Sequence, residues 1–258
     1  MADRTLRELE RKRAQGDPQV QAQTLAHRAR YGQIPHAHIS YAAHLGCSIA
    51  RLIDPKPHIV VSCSACERRR EERSRRNRDP HPQPTPLRET PRDCMKCRGS
   101  EQVVLDRGLI AFVKQVDDVP QRSLIAWAAD CAEHQADSLF PQHAPLYEGR
   151  YLLPVQPTHS PALTASILPA VREWLVNPAA VPPVLYQHAT TTVGGVREIG
   201  VVACLSAAVA LAGIEEEART VRWRTAEVAS ASYHAAGGTR TERAWQEQRL
   251  IQYLLGEV

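Results

Sequence analysis

The sequence predicts a mostly α protein built in three parts, and three observations carry that expectation. Alanine supplies much of an apolar content of 43%, while aromatic residues make up only 5%, and alanine is the strongest helix former. Apolar residues recur at helical spacing along most of the chain. Two short β-type runs interrupt this, "HIVVSC" at 58–63 and "SEQVVLD" at 100–106, and each lies beside a Cys-x-x-Cys pair. The expected architecture is a short N-terminal helical module over 1–57, a small zinc-ribbon-like β knuckle over 58–106, and a C-terminal Ala-rich bundle of about six helices over 107–258.

The N-terminal part reads as short helices joined by tight turns. Residues 3–14 form the first, with Asp3 as N-cap and Leu6 and Leu9 on one face. Gly16 ends it, Asp17 caps the next helix, and Pro18 fits that helix's first turn. The second helix runs to about Arg30, with Val20, Leu25, Ala26 and Ala29 expected inward. A third covers 36–45 and stops at Gly46, and a fourth, "CSIARLI", ends before "DPKP". The stretch "RELERKRAQGDPQVQAQTLAHRARYG" followed by "ISYAAHLGCSIARLI" resembles a small helical module of predicted proteins from myxobacteria and planctomycetes. That resemblance covers residues 4–53 and implies a packing or docking module without chemistry.

The central part carries the strongest motif. Cys63 and Cys66 form one Cys-x-x-Cys pair, Cys94 and Cys97 the other. Two intervening residues let both thiolates of a pair bind one tetrahedral ion, so two pairs complete a four-cysteine shell for structural Zn2+. A full shell leaves no open position for a catalytic water. A redox role fits poorly, because no thioredoxin-like βαβ pattern surrounds either pair. An iron–sulfur cluster is a weaker reading, and His58, five residues before Cys63, is a minor alternative ligand. A segment this polar has little core, so metal would supply much of its folding energy.

Between the pairs lies an insert, 67–93. Its first half, "ERRREERSRRNRD", offers Arg69, Arg73 and Arg76 as candidate contacts to nucleic acid or to a protein partner. Acidic neighbours Glu67, Glu71, Glu72 and Asp79 cancel part of that charge, and no aromatic residues interleave to stack bases. A solvated helix face is the plain alternative. The second half holds five prolines within 80–91 and reads as an exposed spacer.

From 107 onward the helical period returns. "PQRSLIAWAADCAEHQADSLF" aligns Leu124, Ala128, Cys131 and Leu139 with Trp127 beside them, and "PALTASILPAVREWL" aligns Leu163, Ile167, Ala170 and Trp174. Further helices are expected over 184–191, 195–213 and 214–236, before a closing helix capped by Thr239 or Thr241 that buries Trp245, Ile251, Leu254 and Leu255. All four tryptophans fall here, at 127, 174, 223 and 245, which places the main core in this part. "LIAWAADCAEH", "VREWLVNP", "SYHAAGG" and "TERAWQEQRLIQYL" resemble the immunity proteins assigned to bacterial polymorphic toxin systems, over about 120–256. That family is all-helical, and the resemblance implies a toxin-neutralising role through protein binding.

Charge and cysteine usage bound the function further. The net charge of +4 is uneven: 9 basic and 5 acidic groups lie in 1–57, 11 and 8 in 58–106, and 12 and 15 in 107–258. That balance permits a nucleic-acid partner at the front without demanding one. The N-terminus "MADRTLRELERKR" has no apolar core, so no signal peptide is expected. The run 199–214 is apolar for 16 residues, short of the roughly 20 that span a bilayer. The expectation is a cytoplasmic protein with reduced thiols and no membrane contact, in which Cys47, Cys131 and Cys204 sit alone in apolar helical patterns and Cys131 and Cys204 are small core residues. Asp130 and His134 sit four apart on one helical face, either as a helix-surface pair or as a site. No phosphate loop or nucleophile elbow accompanies them, so no enzyme is expected and a hydrolase is the weakest reading. The leading expectation is a non-enzymatic zinc-containing protein that binds a toxin or defence-system component. The alternative is a zinc-ribbon adaptor for nucleic acid.

Overall fold

The computed structural model describes residues 16–63, 65–66, 69–70, 94, 96–98, 100–105, 108–135, 161–179, 205–212 and 218–258, with side chains of 161–166 excepted. The helices expected over 3–14 and 184–191, most of the insert 67–93, Leu139 and Cys204 lie outside these residues. Among the described residues the chain is mostly helical, with one two-stranded sheet.

Three helices open the described chain: α1 Pro18–Arg30, α2 His36–His44 and α3 Ser48–Ile53. Local chemistry sets their ends. The Asp17 carboxylate accepts from the Gln19 amide at 2.9 Å, and Pro18 occupies the first turn, where its missing N–H is no loss. Gly46, at φ +106°, turns the chain between α2 and α3, a conformation that costs other residues a Cβ clash. Leu25, Ile34, Ile39, Ala42, Ala43 and Ala50 form a small core that the closing residue Leu255 completes. The buried face of α1 differs from expectation: Ala22, Thr24 and Leu25 are buried, while Val20, Ala26 and Ala29 are half-buried. Burial of Thr24 is tolerated because its hydroxyl donates to the Val20 carbonyl at 2.8 Å.

The sheet is β1 Val60–Ser62 against β2 Gln102–Val104, antiparallel, in register Val60↔Val104, Val61↔Val103 and Ser62↔Gln102. Alternation gives each strand one inward residue: Val61 packs against the main core, and Val103 against the four cysteines.

The bundle comprises α4 Leu109–Gln115, α5 Gln121–His134, α6 Pro161–Val176, a helical stretch over 205–211, α7 Ala218–Ala235 and α8 Arg240–Leu254. Helix α5 is its axis: every residue from Leu124 to Ala132 is buried. The fully buried Trp127 donates its indole N–H to the Gln246 carbonyl at 2.9 Å, which ties α5 to α8. Leu124, Ala128 and Cys131, and on α6 Ile167, Ala170 and Trp174, are buried as their spacing predicts. On α8 the burial falls on Leu250 and Leu254, while Trp245 and Ile251 are half-buried. Thr239 caps α8 by accepting from the Glu242 amide.

The N-terminal helices lean on the bundle. Tyr41 and Leu45 join its core, and Tyr41 meets Phe112 edge-on at 5.4 Å. The buried ring of His38 faces two carbonyl oxygens, Leu254 at 3.1 Å and Asp118 at 3.5 Å. No helix among the described residues is long and apolar enough to cross a membrane.

Candidate metal centre

The antiparallel pairing brings the two Cys-x-x-Cys pairs to one end of the hairpin. Cys63 follows β1 directly, and its amide donates to the Glu101 carbonyl at 2.8 Å, extending the ladder by one bond. Cys66 lies on the helical turn that starts after Cys63, and Cys94 and Cys97 bracket a turn leading into β2. In that turn the Arg98 amide donates to the Cys94 carbonyl at 2.7 Å. The Ser100 hydroxyl donates to the carbonyls of Cys97 and Gln102. Arg98 and Glu101 adopt positive φ, 49° and 57°, where non-glycine residues are uncommon.

All four sulfurs lie within 4.8 Å of one another. The closest approaches run between the pairs: Cys63 to Cys94 at 3.7 Å and Cys66 to Cys97 at 3.5 Å. These distances are far beyond a disulfide's ~2.05 Å, and all four residues are free cysteines. All four are buried. Four soft donors converging from four directions can hold one metal ion in a closed tetrahedral shell. The backbone favours the ligand form of one of them: amides of Cys97 and then Lys96 donate to the Cys94 sulfur and lower its pKa. The Cys66 thiol is raised, first by burial and then by the three neighbouring sulfurs.

His58 is exposed and stands outside this cluster. Of the candidate arginines, Arg69 is described, half-buried on the turn after Cys66; Arg73 and Arg76 lie outside the described residues. The neighbouring Arg70 is bound to Glu101 at 2.5 Å, linking the first pair's helical turn to the bend just before β2.

Asp130 and His134 line one cleft but bind different partners. The buried Asp130 carboxylate accepts from Arg172 on α6 at 2.5 Å, and from Arg249 at 2.5 Å and Tyr253 at 2.8 Å on α8. Arg172 also grips both oxygens of Glu133. His134 stacks flat on Trp245, with ring centroids 3.8 Å apart, and its Nδ1 lies 3.0 Å from the buried Glu242 carboxylate. Gln246, fully buried, donates to Glu242 and to the Ala229 carbonyl. The cleft beside these groups measures about 610 Å³. Its charges hold α5, α6 and α8 together. Burial, then Glu242 and Asp130, push the Cys131 thiol well up, which disfavours its thiolate form.

Sequence reasoning missed Arg172, Arg249, Tyr253, Glu242 and Gln246. The one available signal was spacing: Arg249 and Tyr253 are four apart, on one face of α8. No protein-family model, curated protein or solved structure matches this chain.

Proposed function

We propose that this chain is a non-enzymatic binding protein, clipped by one structural Zn2+ on Cys63, Cys66, Cys94 and Cys97, and that it acts in a bacterial conflict system as an immunity protein or an accessory component. The observation that carries this reading is the closed sulfur shell. A tetrahedron of ~2.3 Å Zn–S bonds has edges of about 3.8 Å, close to the 3.5 and 3.7 Å separations. Four thiolates leave the ion no site for water or substrate, so its role is to fold the knuckle. The polar groups around Asp130 and Glu242 support the same view, because they bond to one another across helices. The resemblance of 120–256 to immunity proteins points to the helices as the surface that meets a toxin.

The reading as a nucleic-acid adaptor has less support: Arg70 is held by Glu101, and Arg69 is half-buried. A single set of measurements separates the two. The zinc-loaded chain is titrated with the toxin candidates encoded beside it, and growth rescue is scored on co-expression. A stoichiometric complex with rescue supports the immunity reading. Binding to RNA or DNA that falls steeply with salt, and is lost in Arg69→Ala/Arg73→Ala/Arg76→Ala, replaces it with the adaptor reading.

A further inference from the structure

The sulfur contacts of the knuckle cross between its two halves. Cys66 meets Cys97 at 3.5 Å and Cys63 meets Cys94 at 3.7 Å. The backbone holds both halves in that arrangement. The ladder sets Ser62 opposite Gln102, the Cys63 amide is bound to the Glu101 carbonyl, and the Arg98 amide closes its turn on the Cys94 carbonyl. A disulfide needs ~2.05 Å between sulfurs, so each crossed contact has only roughly 1.5 Å to close. Exposure separates the two contacts. Cys66 and Cys97 each retain 6% exposure, against 0% for Cys63 and 2% for Cys94. The shorter contact is therefore also the one nearer solvent.

We propose that the knuckle is a redox-interchangeable clip, in which hydrogen peroxide converts the four thiolates into the crossed disulfides Cys66–Cys97 and Cys63–Cys94, releasing the ion while the hairpin stays closed. This rests on the reading of the site as a zinc clip and adds a regulation to it. Metal-bound sulfurs are thiolates, the nucleophilic form. The Sγ of Cys66 or Cys97 attacks one peroxide oxygen. The O–O bond breaks, a sulfenic acid forms, and the other oxygen takes up a proton and leaves as water. The second sulfur of the contact then attacks the sulfenic sulfur. An S–S bond forms, the S–O bond breaks, and the hydroxyl leaves with a proton as a second water. Cys63 and Cys94 repeat both steps. Four thiolates, two peroxides and four protons thus become two disulfides and four waters, each sulfur giving up one electron. With its thiolates consumed, the shell no longer holds an ion. The crossing distinguishes this clip from a thioredoxin-type catalyst, whose disulfide closes within one Cys-x-x-Cys. Bonds within the pairs would leave nothing covalent between the halves. Crossed bonds tie 63–66 to 94–97, so the ends of the insert remain together when the metal goes.

The test treats the zinc-loaded chain with hydrogen peroxide. Released zinc is read with a chromogenic chelator, disulfides are mapped by mass spectrometry after acid quenching, and the hairpin is followed by hydrogen exchange. One zinc should be released for every two disulfides, and Cys66–Cys97 should appear before Cys63–Cys94. In the oxidised chain the amides of 60–63 and 102–105 should keep their protection to within ~10-fold of the zinc-loaded chain. A thiol reductant with added zinc should restore the starting state. Disulfides within the pairs overturn the proposal. So do oxidation of the four cysteines past disulfides to sulfinic acids, retention of zinc with no knuckle disulfide formed, and loss of hairpin protection while the crossed bonds are in place. The zinc reading fails by a different result, a chain that carries no zinc before peroxide is added. The disulfide map then still decides the crossing.

Discussion

At the scale of single residues, the most consequential side chain is Asp130. Its carboxylate is shared by two guanidinium groups and a phenol, drawn from two other helices. Removing it strands Arg249 and leaves Arg172 with Glu133 as its carboxylate partner, and both guanidinium groups are only about one-third exposed. Breaking a buried pair costs about 3–5 kcal/mol, and partial solvation of the arginines lowers that to about 2–3 kcal/mol. Asp130→Ala should lose that amount in urea unfolding, whereas Asp130→Asn, which still accepts two hydrogen bonds, should lose less. A loss within about 0.5 kcal/mol for both would show that the cluster contributes no net stability. Tyr253 adds a pH dependence. Burial, then the Asp130 bond, raises its pKa from 10 to about 12. A raised folded-state pKa means that the contribution is complete below pH 10 and is lost as pH climbs from 10 towards 12. Tyr41 is raised in the same sense, by burial and then by Asp118. Unfolding free energy should therefore fall over this window in the parent chain, and fall less in Tyr253→Phe/Tyr41→Phe.

Helices and strands were legible to the extent that periodicity and caps decide them. Asp17, Gly46 and Thr239 fix boundaries through one hydrogen bond or one dihedral each, and those are written locally. The burial of α5 is equally local, because a helix that is apolar nearly all round belongs inside a core. The cysteine site was legible for a different reason: ligand spacing is a covalent constraint, and the β-type runs beside it supply the hairpin that folds the distant pairs together. What spacing cannot encode is which charge on one helix meets which on another. Asp130 and His134 share a face of α5, yet α6 and α8 supply their partners, 42 to 123 residues away. The face of α1 shifted for a related reason, since Thr24 hides its hydroxyl within its own helix and so passes for apolar. Capping gives the element-scale prediction. Thr239→Ala removes the acceptor for the Glu242 amide and should cost about 1 kcal/mol. It should also loosen the Glu242–His134 contact one turn on. Thr239→Ser should keep both, and equal stability of the alanine and serine variants would argue against the cap.

For the whole molecule, the question is how much of the fold the metal holds. The hairpin lends the main core only Ile59, Leu105 and the partly buried Val61, while the rest comes from α2, α4–α8 and the 205–211 stretch. Around the cysteines themselves the packing is thin, with Ala65 and Val103 the hydrophobic residues against them among those described. Without metal, four crowded thiols replace the ion-bridged shell, and the ends of the insert are joined among the described residues by the short strand pairing, the Cys63–Glu101 backbone bond and an exposed Arg70–Glu101 ion pair, which contributes little. The N-terminal helices should stay docked even so. They hold the bundle through Tyr41, Leu45, the His38 contact with Leu254 and the shared Leu255. Lengthening a connecting loop is cheap, at about 0.6 kcal/mol per doubling. Chelation should therefore melt the knuckle selectively. Amides of 60–63 and 102–105 should lose hydrogen-exchange protection, all four knuckle cysteines should become alkylatable, and far-UV helicity should barely change. Cys66→Ser/Cys94→Ser should reproduce that state without chelator. If chelation instead abolishes helicity and knuckle protection together, in one transition, then the metal is the keystone of the entire chain, and the bundle does not stand on its own buried tryptophan and its ring of cross-helix ion pairs.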